Sequence, residues 1–138
     1  MRLPPKVFCD TSFFYACLDP SDTHHEAGSD LVERAVRSAT DLLTTWDVVS
    51  ETVTLLRYRA TYQAARAFVT TIRPSLEIVT YGDEVRTEAE QVFLRLGKER
   101  RLSYCDAVSY VVVSRQLDHL PCLAFDRDFL ALGLTVLR

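Results

Sequence analysis

The sequence predicts an α/β fold: a three-layer α/β/α sandwich around a mostly parallel central sheet. Two observations predict it. Short apolar runs alternate with longer stretches of helical periodicity, the pattern of strands joined by crossover helices. In addition, no Pro/Gly/Ser-rich linker, internal repeat or low-complexity tract divides the 138 residues, so positions 1–138 are read as one domain able to bury a sizeable core.

The elements follow in chain order. Val7–Phe8–Cys9 reads as the first strand, and Ser12 to Leu18 as a short helix stopped by Asp19–Pro20. Thr23-His24-His25-Glu26 has the S/T-x-x-E form of a capping box and begins a helix reaching Ala39. Asp41 to Thr44 is a short strand, followed by helices over Trp46 to Arg59 and Tyr62 to Arg73, the latter ended by Pro74. Leu76 to Thr80 alternates as a strand, Asp83 to Arg100 is an amphipathic helix, and Ser103 to Leu117 is a helix apolar nearly all round. Pro121 to Phe125 and Leu134 to Leu137 are the last two strands.

Composition narrows the class. Hydrophobic residues make up 48% and charged residues 25%, the balance of a folded globular protein rather than a disordered one. No apolar run approaches the roughly 20 residues of a membrane span, and Val7–Phe8–Cys9 is too short for a signal-peptide core. A soluble, cytoplasmic protein with no membrane contact is expected. Cys9, Cys17, Cys105 and Cys122 have no C-x-x-C spacing and sit among apolar neighbours, which fits reduced, buried thiols.

Four carboxylates stand where charge is costly. Asp10 and Asp126 each follow a strand, in Val7-Phe8-Cys9-Asp10 and Leu123-Ala124-Phe125-Asp126. Ligands of open α/β sheets bind outside the carboxyl ends of the strands, so both fall at one rim; Asp also favours turns and helix N-caps, which explains either residue taken alone. Asp106 sits in Ser103-Tyr104-Cys105-Asp106, a second capping-box pattern, and then enters a buried helix with only Ser109 and Tyr110 at i+3 and i+4. Glu51 lies at the edge of its helix's apolar arc, and its neighbours Asp47, Val48, Thr54 and Leu55 include no base. Asp128 stands close by in Phe125-Asp126-Arg127-Asp128-Phe129.

Carboxylates crowded together repel, and some take up protons unless a cation is present. Mg²⁺ or Mn²⁺ suits an all-oxygen donor set, and such a site suits phosphoryl chemistry. Thr11 and Ser12 are placed to hydrogen-bond Asp10 or a water beside it, or to serve as ordinary helix-start hydroxyls.

These residues carry a resemblance. "VFCDTSFFYACLD", "DTHHEA", "VVSETVTLLRYR", "LSYCDAVSYVVV" and "AFDRDF", in that order and spacing, resemble the PIN domain, and within it the VapC-like ribonuclease toxins of toxin–antitoxin modules. The likeness runs over nearly the whole chain. It implies a Mg²⁺- or Mn²⁺-dependent endoribonuclease acting on RNA, often a homodimer, and neutralised by an antitoxin whose C-terminal segment covers the site. Matched motif by motif, it implies Asp10, Glu51, Asp106 and Asp126 as the catalytic, metal-site acids, with Asp128 at a position that varies in the family.

The overall charge of −3 argues weakly against a nucleic-acid partner, but setting aside the five acids leaves the remainder at +2. Arg57, Arg59 and Arg127 are the first choices for RNA phosphates, with Lys98, Arg100, Arg101 and Arg115 as further ones; solvated helix faces and ion pairs are the competing explanation for each. His24, His25 and His119 are assigned to surface or packing roles. The apolar faces around Phe13-Phe14-Tyr15 and Val53 to Leu56 are candidate dimer contacts or ordinary core. Two other functions compete: a non-catalytic RNA- or protein-binding module on the same fold, and a metal-dependent phosphatase. The haloacid dehalogenase-like phosphatases want a second Asp two residues after the first, where this chain has Ser12.

Overall fold

The computed structural model describes residues 2–138. It is an α/β/α sandwich on a five-stranded, all-parallel sheet of order β3-β2-β1-β4-β5. The strands are β1 (Lys6–Cys9), β2 (Asp41–Thr44), β3 (Glu77–Ile78), β4 (Cys122–Leu123) and β5 (Val136–Leu137). Val7, Phe8, Cys9, Cys122 and Leu123 are fully buried, as expected of central parallel strands covered on both faces. The chain leaves β1 toward β2 on one side and returns to β4 on the other. The carboxyl ends of β1 and β4 therefore flank a topological switch point, where such sheets open a crevice.

Among the described residues seven α-helices clothe the sheet: α1 (Thr11–Leu18), α2 (His25–Arg37), α3 (Trp46–Arg59), α4 (Tyr62–Ala67), α5 (Asp83–Leu96), α6 (Tyr104–Val111) and α7 (Arg127–Ala131). Phe13, Phe14 and Leu56 are buried, with Phe14 packed against Phe13 and Phe68 at ring-centroid distances of 5.5 and 5.2 Å. Of the two apolar faces, Phe13, Phe14 and Leu56 are core, while Tyr15, Val53 and Leu55 are half-buried and Thr54 is exposed. The four cysteines are free.

Local chemistry moves several boundaries. The helices expected over 62–73 and 103–117 both widen at their ends into single π-helical turns, Phe68–Ile72 and Val112–Gln116. In each turn a hydroxyl takes the carbonyl four residues back: Thr70 Oγ1 donates to Arg66 O at 2.8 Å, and Ser114 Oγ to Tyr110 O at 2.6 Å. Such back-bonding competes with the backbone N–H for that carbonyl and loosens the helical ladder. Helix α5 stops at Leu96, against Gly97, rather than reaching Arg100. The strands around 76–80 and 121–125 pair over only two residues each.

The capping box expected at Thr23 and Glu26 does not form. Helix α2 begins at His25 with no side-chain cap, and its entry is set instead by Asp22, whose carboxylate accepts from His24 N at 3.0 Å. His25 Nδ1 meets Ala16 O at 2.7 Å, pinning α2 to α1. The second box does form: Ser103 accepts from Asp106 N, and Asp106 accepts from Ser103 N.

Candidate functional site

A cleft of about 710 Å³ opens at the carboxyl edge of the sheet, and its lining includes Asp10, Glu51, Asp106 and Asp126. Each acid reaches it by a different route. Asp10 directly follows β1 and is the N-cap of α1, its side chain accepting from Ser12 N. Glu51 projects from α3, which starts two residues after β2 behind a Thr45 N-cap. Asp106 lies in the first turn of α6. Asp126 does not end β4; the strand closes at Leu123, and Asp126 caps α7, accepting from Asp128 N at 2.9 Å.

Among the described residues none of these four acids forms a salt bridge. The salt bridges among the described residues are Arg34–Asp30, Arg86–Asp47 and Arg115–Glu88, all away from the cleft acids. Burial pushes the Asp10 carboxyl up to about 6; hydrogen bonds from Ser12 oppose this, while the nearby Asp126 and Glu51 charges add to it. Burial likewise pushes Asp106 up to about 7, reinforced first by the charge of Asp10.

Asp10 is 2% exposed, and its Oδ1 is buried without a hydrogen-bond partner. Its other oxygen, Oδ2, accepts from the Ser12 hydroxyl at 2.6 Å. The same hydroxyl accepts from Phe125 N at 2.9 Å. Ser12 therefore ties the loop after β1 to the segment leading into Asp126, holding two of the four acids in register. An orphaned carboxylate oxygen beside three further carboxylates is a donor set that fits a hard divalent cation.

Among the described residues, however, no three His, Cys, Asp or Glu side chains converge tightly enough to enclose one ion. Mutual repulsion keeps bare carboxylates apart, and Asp106 gives Oδ2 to its helix cap. Mg²⁺ is bound through one or two carboxylates with several waters retained, so a closed protein cage is not its mode of binding.

The remaining expected residues separate. Thr11 lines the cleft, and its hydroxyl meets that of Thr52 at 3.4 Å. Asp128 sits in the first turn of α7, outside the cleft lining; burial and Asp126 raise its carboxyl pKa. Of the basic residues, Arg59 and Arg101 line the cleft. Arg57 instead lies over the rings of Tyr58 and Tyr62, Arg115 pairs with Glu88, and Arg100 donates to Ala131 O. Arg127 is exposed and outside the cleft lining.

His24, given a surface or packing role on sequence grounds, packs at the cleft itself. It lines the cleft and stacks on Phe125, with centroids 4.6 Å apart and planes 2° from parallel. Its place in "DTHHEA", just before a helix that packs on α1, is the signal that pointed toward the rim.

A parallel sheet with crossover helices, carrying acids from four separate segments at its switch point, defines a class of fold and site. This chain belongs to the PIN domain family, whose profile matches residues 7–133. More particularly, it is 32% identical over 123 residues to the VapC ribonuclease of Archaeoglobus fulgidus, an alignment covering 87% of this chain and 76% of that protein. Its structure is similar to the crystal structure of VapC20 from Mycobacterium tuberculosis, a toxin that cleaves the sarcin–ricin loop, with a TM-score of 0.78, 26% identity, and coverage of 94% of this chain and 96% of that one. Among the described residues no helix is long and apolar enough to cross a membrane.

Proposed function

We propose that this chain is a Mg²⁺- or Mn²⁺-dependent endoribonuclease, the toxin of a toxin–antitoxin pair, working as a cytoplasmic homodimer that a cognate antitoxin silences. The observation that carries the reading is the buried Asp10 carboxylate with its unpartnered Oδ1, in a cleft shared with Glu51, Asp106 and Asp126. The VapC relatives support the choice of RNA as substrate.

In this reading Asp10, Asp106, Asp126 and Glu51 hold the metal, with Asp128 as an outer acid. A bound divalent ion supplies Lewis acidity and a water activated for in-line attack on a phosphodiester. Asp10 keeps Oδ1 free of any hydrogen bond while Ser12 fixes its other oxygen. Arg59 and Arg101 hold flanking phosphates, the guanidinium fork matching the oxygens of the RNA backbone. Cleavage leaves a 5′-phosphate and a 3′-hydroxyl. The test is to incubate the purified protein with RNA and Mn²⁺ and to identify the new ends. Metal-dependent cuts with 5′-phosphate ends are expected; a 2′,3′-cyclic phosphate would overturn the route, because it needs the RNA 2′-hydroxyl as nucleophile. Equal RNA binding by the protein and its Asp10→Asn variant, with no cutting by either, would favour a binding module.

Ser12→Ala is expected to reduce cleavage by roughly 10- to 100-fold, the usual effect of losing a side chain that orients a metal ligand. The substitution leaves Asp10 Oδ2 with only the backbone N–H of residue 12 and leaves Phe125 N without its acceptor. It should also lower stability by about 1–3 kcal/mol, read by urea melts. Ser12→Thr keeps the hydroxyl and should recover most of both; failure of Thr to rescue cleavage would separate Ser12 from the positioning of Asp10.

A further inference from the structure

We infer that Tyr58, backed by Arg57 and Tyr62, is a stacking platform for an unpaired RNA base flanking the cut; this rests on the ribonuclease reading above. The argument begins with helix periodicity. Glu51, Leu55 and Tyr58 stand at i, i+4 and i+7 on α3 and share one stripe. Glu51 and Leu55 line the cleft, so the stripe continues out of it to Tyr58, about 10 Å along the axis from Glu51 at the usual helical rise. Arg59, on the same last turn, also faces the cleft.

Tyr58 is 80% exposed and Tyr62, the first residue of α4, is 56% exposed. Single exposed aromatics need no explanation, but here a guanidinium bridges two of them: Arg57 lies 5.9 Å from the Tyr58 ring centroid and 5.8 Å from that of Tyr62. Stacking platforms interleaved with arginines are how proteins hold unpaired nucleotides, since every base has a π-face and the cation binds the backbone beside it. Paired bases in an A-form helix offer no free face, which selects unpaired RNA.

The experiment separates this inference from the nuclease reading by measuring binding, not cutting. Asp10→Asn and Asp10→Asn/Tyr58→Ala proteins are titrated in Mg²⁺ with a single-stranded RNA carrying 2-aminopurine, and with a blunt duplex of the same sequence. Loss of Tyr58 should weaken single-strand binding about tenfold or more and remove the stacking-dependent quenching of 2-aminopurine, with duplex binding unchanged. Tyr58→Phe should keep both affinity and quenching. Equal affinity and quenching in the Tyr58→Ala protein would overturn the inference even if the wild type cleaves RNA. So would a loss of binding that accompanies a change in oligomeric state by gel filtration, because the patch would then be a protein contact.

Discussion

Asp10→Asn is expected to lower RNA cleavage roughly a thousandfold or more, while making the metal-free protein more stable at neutral pH. Both effects come from one carboxylate. It is buried at the end of β1, and no hydrogen bond reaches its Oδ1. Removing its charge removes the strongest candidate ligand. The amide of Asn is close in size, so the core around β1 is preserved, and its carbonyl oxygen can accept from Ser12 N and Ser12 Oγ as Asp10 Oδ2 does.

The stability gain has a definite sign and pH window. In the folded protein the Asp10 carboxyl titrates at about 6, raised chiefly by burial, against an ordinary value of 3.8. Between those values the folded state binds more protons than the unfolded one, so stability falls as pH rises through the window. Above the folded value the full penalty stands, roughly 2–3 kcal/mol for a shift of about two units. Asn carries no such penalty. Urea melts of the two proteins in EDTA should therefore agree near pH 4 and diverge in favour of Asn by about pH 8. A wild-type protein as stable as the variant at the higher pH would show that Asp10 is not buried as a bare carboxylate.

Much of this architecture was legible because local chemistry and global position agreed. Val7–Phe8–Cys9 followed by Asp10 is a buried strand meeting a helix cap, and the fold puts that residue at the switch point. Helix α3 was readable to its last residue, because Thr45 caps it and its apolar arc is continuous. Other features depended on partners far away in the chain. The Ser12 hydroxyl meets Phe125 N across 113 positions, and no spacing rule anticipates that contact. His24 reads as one of two adjacent surface histidines until Phe125 is brought beneath it. The short helix α7 was hidden because only five residues carry it, too few for a periodic pattern. The π-helical turns came from single hydroxyls that periodicity does not weigh. Among the arginines, composition could not distinguish Arg101, which faces the cleft, from Arg57, which lies over two tyrosines.

Divalent metal and protons should compete for this cleft, giving the second large effect. Asp10 and Asp106 titrate at about 6 and about 7, so both are largely protonated at a pH of about 5 and largely ionised by about 8. Ionised, they repel each other as well as Glu51 and Asp126, and the metal-free protein is at its least comfortable. A cation that binds only the folded state then stabilises it by about 2.7 kcal/mol at a hundredfold excess over its Kd, a Tm rise of several degrees for a chain of this size. At the lower pH the same Mn²⁺ must displace protons, and its affinity falls by up to about tenfold for each proton per pH unit. Melting curves with Mn²⁺ and with EDTA should therefore separate widely at the higher pH and converge at the lower one. Cleavage should climb over the same interval and vanish in EDTA at any pH. A Tm increment from Mn²⁺ that is equal at both ends would mean that the ion binds elsewhere, on acids that do not share a proton-coupled pocket. Cutting that persists in EDTA would mean that the acids serve the reaction without a metal, with Asp10 or Asp106 acting as the proton acceptor itself.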